Sequence, residues 1–286
     1  SLVDTYKILR DKKPRILFVQ NPSMFLALGA LLVRPFFGYT LIVDRHTNFK
    51  FKYRNVVSLK WIIFFCLSRF TLKHSDITIV TNKGLARIVK SIGGNPFVLQ
   101  DKLPHIAVPE NATTIIDQSY KNYLFVCSFG SDEPIDEVIT AFSSVNDESF
   151  LYITGNWTKR YSKEQVDLAP SNVIFTGFVS DDDFAKLMGS VDGVIVLTEN
   201  EFTLNCGAYE ALSLNKPLML SNTLALRSYF KDLAVYSNLN SKEDIILGFE
   251  KLKKLELVPS NVRNSAVNEL NVRWMRRADQ LNRIIS

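Results

Sequence analysis

The chain has 286 residues, 47% of them hydrophobic and 22% charged, with a formal net charge of +5 and a pI near 9.0. That length favours two domains, each apolar enough to bury a core, and the composition excludes a disordered chain. The mild basicity suits a nucleoside diphosphate or an acidic membrane surface. It comes with no dense Lys/Arg stripe and no zinc-finger, RRM or KH signature, so no nucleic-acid partner is expected.

In chain order, residues 15–20 read as a strand, and an apolar helix follows from about Met24. Residues 40–43 read as a strand, 59–73 as a helix, 77–81 as a strand and 84–92 as a helix. Gly93 and Gly94 stop that helix, because glycine tolerates the left-handed conformation needed there. Residues 97–99 make a last short strand. A loop with Pro104 and Pro109 then runs into polar residues 110–120, where the domain boundary is placed. Residues 25–39, interrupted only by Arg34, and Trp61 to Leu67 are the most apolar stretches. Both are too short to span a membrane. They read as buried helices of an α/β fold. The alternative is peripheral membrane contact through residues 25–39 or 60–73, with aromatics in the interface and Lys/Arg at the headgroups.

The second half repeats the pattern. Residues 124–128, 150–154, 173–176, 194–197, 218–221 and 234–236 read as strands. Ser131, Asp132, Glu133 and Pro134 suit the opening of a helix, where acidic residues and an early proline are accepted. Ser180 with Asp183, and Ser241 with Asp244, look like helix caps. From about Asn261 a long basic helix carries Arg273, Arg276 and Arg277. This alternation predicts an α/β fold of two Rossmann-like domains, with parallel sheets covered on both faces. The expected boundaries are 1–115 for a partial N-terminal domain and 116–260 for a C-terminal domain. The helix over 261–286 is expected to pack back toward the first. Cys66, Cys127 and Cys206 are odd in number and far apart, which suits a reduced chain in the cytoplasm or at the inner face of the membrane. His46, His74 and His105 are not at metal-ligand spacing, so no metal is expected.

Ligands of such sheets sit beyond the carboxyl ends of the strands. The most informative strand end is the stretch 198–210, TENEFTLNCGAYE, with Asn215, Lys216 and Pro217 following. Gly207 and Ala208 lie at a helix start, where small residues permit close approach and unpaired N–H groups attract a diphosphate. Glu210 lies about one turn further along. Its carboxylate suits ribose hydroxyls, and an ion pair with a nearby basic residue explains it equally well. No G-x-G-x-x-G follows any strand, which argues against a dehydrogenase.

This segment, with Thr176, Gly177, Phe178 and Val179 upstream, resembles the donor-binding region of GT-B glycosyltransferases, in particular the family 4-like group (glycosyl transferases group 1). Thr203 to Glu210, TLNCGAYE, is similar to a variant donor loop of that group. The group's signature has two Glu with seven residues between them. Glu210 matches the second, whereas the first falls on Phe202, with Glu201 one residue early. Cys127 to Pro134 resembles the first loop of the second domain, which supplies phosphate-binding cations in many relatives and none here. Thr154, Gly155 and Asn156 resemble the next loop. Val19 to Pro22 and Asp44, Arg45 and His46 resemble strand-end motifs of the first domain. The chain is similar to that domain only from about its fourth strand onward.

The resemblance implies transfer of a sugar from a nucleoside-diphosphate donor, a substrate and not a cofactor, to a saccharide or lipid-linked acceptor hydroxyl. It implies retention and a surface-polysaccharide pathway. Amides of Thr203, Leu204 and Asn205 would stabilise the leaving diphosphate. Gly207 would keep that helix start open. Phe178 and Val179 would line the base pocket, and Glu210 would clamp the ribose. His46 would face the reacting sugar as a hydrogen-bonding group or proton shuttle, with Asp44 orienting it. Lys216 and Arg227 are candidate phosphate partners, and Lys216 also reads as a solvated turn residue. One alternative is a non-catalytic sugar-nucleotide-binding or scaffolding subunit completed by a partner chain. Another is a GT-B-fold epimerase, which would need more carboxylates around the sugar.

Overall fold

A computed structural model describes residues 2–20, 24–46, 49–109, 116–144, 148–239, 241–255 and 260–286. Asn21 and Pro22 of the first strand-end motif, and residues 110–115 of the expected linker, lie outside the described residues. The chain divides into two compact units, Ser1–Asp101 with Arg273–Ser286, and Lys102–Val272.

The first unit has a four-stranded parallel sheet in the order β1-β2-β3-β4. Its strands are β1 (Ile16–Gln20), β2 (Thr40–Asp44), β3 (Ile77–Val80) and β4 (Pro96–Val98). Each is a short run of branched or aromatic residues, the pattern of strands covered on both faces. The connecting helices are α2 (Met24–Phe37), α3 (Leu59–His74) and α4 (Lys83–Ser91). Asn82 caps α4 by accepting the Leu85 N–H at 3.0 Å. At its far end Gly93 has φ +85°, and a Cβ on Gly94 would stand 2.5 Å from the Leu72 carbonyl oxygen. The Gly93-Gly94 stop therefore serves both backbone conformation and close packing.

A helix not expected from the sequence precedes β1: α1 (Leu2–Lys12). Its charged residues obscure the apolar stripe, yet Leu9 is buried with Ala27, Ala30 and Leu41. The helices α2 and α3 depart from the reading of buried helices. α3 buries Ser68, Thr71 and Leu72, while Leu59, Ile62, Ile63 and Phe70 are exposed. On α2, Phe25, Leu32 and Phe36 are exposed as well.

The second unit has a six-stranded parallel sheet in the order β10-β9-β8-β5-β6-β7. The strands are β5 (Lys121–Val126), β6 (Ser149–Thr154), β7 (Val173–Gly177), β8 (Gly193–Val196), β9 (Leu218–Ser221) and β10 (Val235–Ser237). The order reverses at β5, which lies between β6 and β8. That is the topological switch point, where a crevice opens beyond the carboxyl ends. On one face α7 (Asp181–Ser190), α8 (Cys206–Ser213) and α9 (Leu224–Phe230) bury residues such as Leu187, Leu212 and Phe230. On the other, α5 (Ile135–Phe142) and α10 (Lys242–Leu255) bury Phe142 and Phe249. The short α6 (Lys163–Asp167), also unexpected, is closed by a full capping box of Ser162 and Gln165. The last helix, α11 (Ser260–Ile285), has its final residues in the first unit.

Candidate functional site

Two loops meet at the switch point of the second unit, one after β5 and one after β8. Their junction is built by Asp132. Its carboxylate accepts the Thr198 hydroxyl at 2.6 Å, and its carbonyl accepts the Glu199 N–H at 2.7 Å. Glu133 turns back into its own loop, where it accepts the N–H groups of Ser128 at 3.0 Å and Gly130 at 2.6 Å. Phe129 between them is left-handed, at φ 59°, and this directs both amides to one side. The acidic pair Asp132 and Glu133 therefore ties loops together, and α5 begins only at Ile135. Two cations of the next loop reach this one. Lys159 donates to the Ser128 carbonyl at 2.9 Å, and Arg160 donates to that of Glu133 at 3.2 Å.

The β8 loop delivers the chain into α8, whose N-cap is Asn205. Asn205 makes no side-chain bond to the first turn, and its Oδ1 is buried without a hydrogen-bond partner among the described residues. The helix start thus lacks the side-chain acceptor that usually covers it. Thr203 is half-buried, and its N–H donates to the Asn200 carbonyl at 3.3 Å. Leu204 is buried and its side chain lies in the core. Gly207 packs against the sheet: a Cβ there would stand 2.8 Å from Val126 Cγ1. Its smallness is explained by helix–strand contact. Glu210 is half-buried, and its carboxylate has no hydrogen-bond or ion-pair partner among the described residues. Burial, and then the charge of Asp181, raise its pKa above the ordinary carboxylate value.

Phe178 stands at the end of β7 with 88% of its surface exposed, beside half-buried Val179. An uncovered aromatic at a strand end offers a flat face to a ring. Glu201 is committed elsewhere, since it accepts the Leu224 N–H at 2.7 Å and covers the start of α9. Lys216 is neither a solvated turn residue nor a free phosphate partner. Its Nζ donates to the carbonyls of Gly189 at 2.5 Å and Val191 at 2.9 Å, at the C-terminus of α7. Arg227 remains exposed, donates to Asn222 at 2.9 Å and lies over the Tyr236 ring. Beyond β8, β9 and β10 an open pocket of about 340 Å³ is lined by Thr198, Glu199, Ser221, Asn222, Ser237 and Asn238. Hydroxyls and amides dominate it, a lining suited to a hydroxylated ligand.

In the first unit Asp44 ends β2, and His46 follows two residues later. His46 Nδ1 lies 2.8 Å from Asp101 Oδ1, and Nε2 lies 2.7 Å from Asp44 Oδ1. The second approach is a close ionic contact off the line of a hydrogen bond, because both atoms are buried without an aligned partner. Burial opposes the charged imidazole. Asp101, and then Asp44, outweigh it, so the pKa rises to about 9. Between them Arg45 is fully buried, with its guanidinium 4.4 Å from the Phe49 ring centroid. Burial pushes its pKa down to about 10. Asp101 carries no sequence signal of this role, since it lies far along the chain after the short strand β4. Among the described residues no group of three or more His, Cys, Asp or Glu is arranged to hold a metal ion.

Two parallel-sheet units of this kind, with loops gathered at strand ends, define the GT-B class of glycosyltransferases. Sucrose-phosphate synthase from Thermosynechococcus elongatus superposes with a TM-score of 0.75 at 13% identity, over 99% of this chain and 77% of that one. HepE of Anabaena in complex with UDP-glucose superposes with a TM-score of 0.73 at 12% identity, over 97% of this chain and 81% of that one. WaaG, a glycosyltransferase involved in lipopolysaccharide biosynthesis, gives a TM-score of 0.65 at 14% identity, over 94% and 76%. Residues 110–269 match the family described as glycosyl transferases group 1, and the chain belongs to that family. No curated protein sequence matches it.

Proposed function

We propose that this chain transfers a sugar from a nucleoside diphosphate to an acceptor hydroxyl, with the donor held at the switch point of the second unit. The observation that carries this reading is Glu210, a half-buried carboxylate with no partner among the described residues, one turn inside a helix whose start no side chain caps. A carboxylate held partly out of water and without a protein partner is a ready acceptor for the hydroxyls of a ligand. In this reading Glu210 accepts the ribose hydroxyls, and Phe178 with Val179 carries the base. The backbone around Thr203, Leu204 and Asn205 meets the diphosphate at the start of α8. Lys159 and Arg227 add positive charge, since both are exposed near strand ends. Developing charge on the leaving diphosphate would meet dipoles already in place, which lowers the barrier without reorganisation. Gly207 contributes by letting α8 lie close to β5, which sets where the helix start falls.

The complexes of HepE with UDP, and with UDP and glucose, support a nucleotide sugar as donor and a saccharide as acceptor. WaaG supports a role in surface polysaccharide synthesis, with a lipid-linked acceptor as one form of substrate. Retention of configuration belongs to the same proposal.

Cys206 provides the test. It is exposed at the first position of α8, while Cys66 is exposed in the other unit and Cys127 is buried. Alkylation of Cys206 is expected to slow at least tenfold in saturating UDP or UDP-glucose, while that of Cys66 is unchanged. Equal rates with and without every nucleoside diphosphate would remove the donor site from α8.

A further inference from the structure

His46 has a carboxylate oxygen within 2.8 Å of each ring nitrogen, one from β2 and one from the segment leaving β4. A neutral imidazole must present one nitrogen as an acceptor, and here that nitrogen would point its lone pair at a carboxylate. Only the doubly protonated ring suits both neighbours. The segment that brings Asp101 into place is itself fixed. Arg277 donates through Nε and Nη2 to the Val98 carbonyl at 3.1 and 2.9 Å, and its guanidinium lies 4.2 Å from the Phe97 ring centroid. Trp274 donates to the Gln100 carbonyl at 2.9 Å. Three successive anchors thus end one residue before Asp101. The charged groups around the ring are Asp44 on β2, Asp101 after β4 and Arg45, whose guanidinium lies on Phe49.

We propose that Asp101 is a positioning residue that holds His46 in one orientation and in its doubly protonated form, so that the ring is a fixed cation and not a base. The cluster Asp44–His46–Asp101 then carries one net negative charge. On the other side of the ring Asp44 Oδ1 and His46 Nε2 are both buried, so that the ring is shut in between the two carboxylates. The state of the ring does not depend on the proposed transferase reading.

The experiment is a long-range proton–nitrogen correlation of the imidazoles between pH 5 and 10, on wild type, Asp101→Asn and Asp101→Glu, with His46→Gln to assign the signal. Wild-type His46 should titrate near 9, with both nitrogens protonated at neutral pH. Asp101→Asn should weaken its proton affinity about tenfold or more, and Asp101→Glu should restore it. A wild-type midpoint near 6.5, or a midpoint unchanged in Asp101→Asn, overturns the proposal. A chain that bound no sugar nucleotide would end the transferase reading while leaving this titration to decide the role of Asp101.

Discussion

Protonation of His46 couples folding to pH. Its folded pKa, about 9, lies above its ordinary value of 6.5, so the folded state binds the proton more tightly than the unfolded chain. The stabilisation is complete below pH 6.5 and is lost as pH rises through 9. Each pH unit between those values is worth about 1.4 kcal/mol before screening of the partly exposed pair. Wild type should lose unfolding free energy between pH 6.5 and 9, and His46→Gln should lack that loss. Matching denaturation curves for the two proteins across that window would show that the ring carries no extra charge. Several residues of the site are legible in sequence by type but not by partner. Glu201 stands one residue short of the first signature position and covers the start of α9. Lys216 reads as a turn residue and instead closes the end of α7. Both depend on contacts more than twenty residues away, which periodicity does not register.

At the scale of elements, the strands are the legible part, because each is a short apolar run between turn residues. All ten strands among the described residues lie on such runs. The misses have a common cause. β5 begins at Lys121, because Lys121 and Asn122 disguise its first residues. Asn122 is nevertheless fully buried and donates to the carbonyls of Asp117 and Tyr120 at 2.8 Å. α1 is hidden by its charges in the same way. The glycines sort into two kinds. Gly155 has φ +112°, and a Cβ on it would stand 2.3 Å from the Cys127 carbonyl oxygen, whereas Gly38 has φ +69° and open space around it. Gly155→Ala should cost about 3 kcal/mol, from backbone strain together with a backbone clash that joins the β5 and β6 strand ends. Gly38→Ala should cost about 1 kcal/mol from its dihedral alone. Equal losses in urea unfolding would mean that the β6 loop is not packed against β5 as described.

For the whole molecule, the first unit presents an apolar surface unlike that of the second. Val57 is 93% exposed, Phe36 83% and Leu59 73%, with Lys60 and Arg54 exposed nearby in sequence. Apolar groups of this kind enter a lipid interface while lysine and arginine meet acidic headgroups. Among the described residues no helix is long and apolar enough to cross a membrane. The exposed apolar side chains make peripheral contact the form of membrane association to test. The chain should co-sediment with vesicles containing acidic phospholipid, more weakly at high salt, and Phe36→Ser with Leu59→Ser should release it. Protein left entirely in the supernatant would remove the membrane from the account.

The proposed donor site turns on Glu210. A thermal-shift titration with UDP, GDP, CDP and ADP on wild type and Glu210→Ala measures its contribution. Ligand at one hundred times its dissociation constant stabilises a protein by about 2.7 kcal/mol, enough for a clear rise in Tm. Such a rise is expected with one of these nucleotides and should be lost in Glu210→Ala, with the unliganded Tm unchanged or higher, since an unpartnered half-buried carboxylate is removed. An undiminished rise in Glu210→Ala, or no rise in wild type with any nucleoside diphosphate, would rule out a donor site held by Glu210.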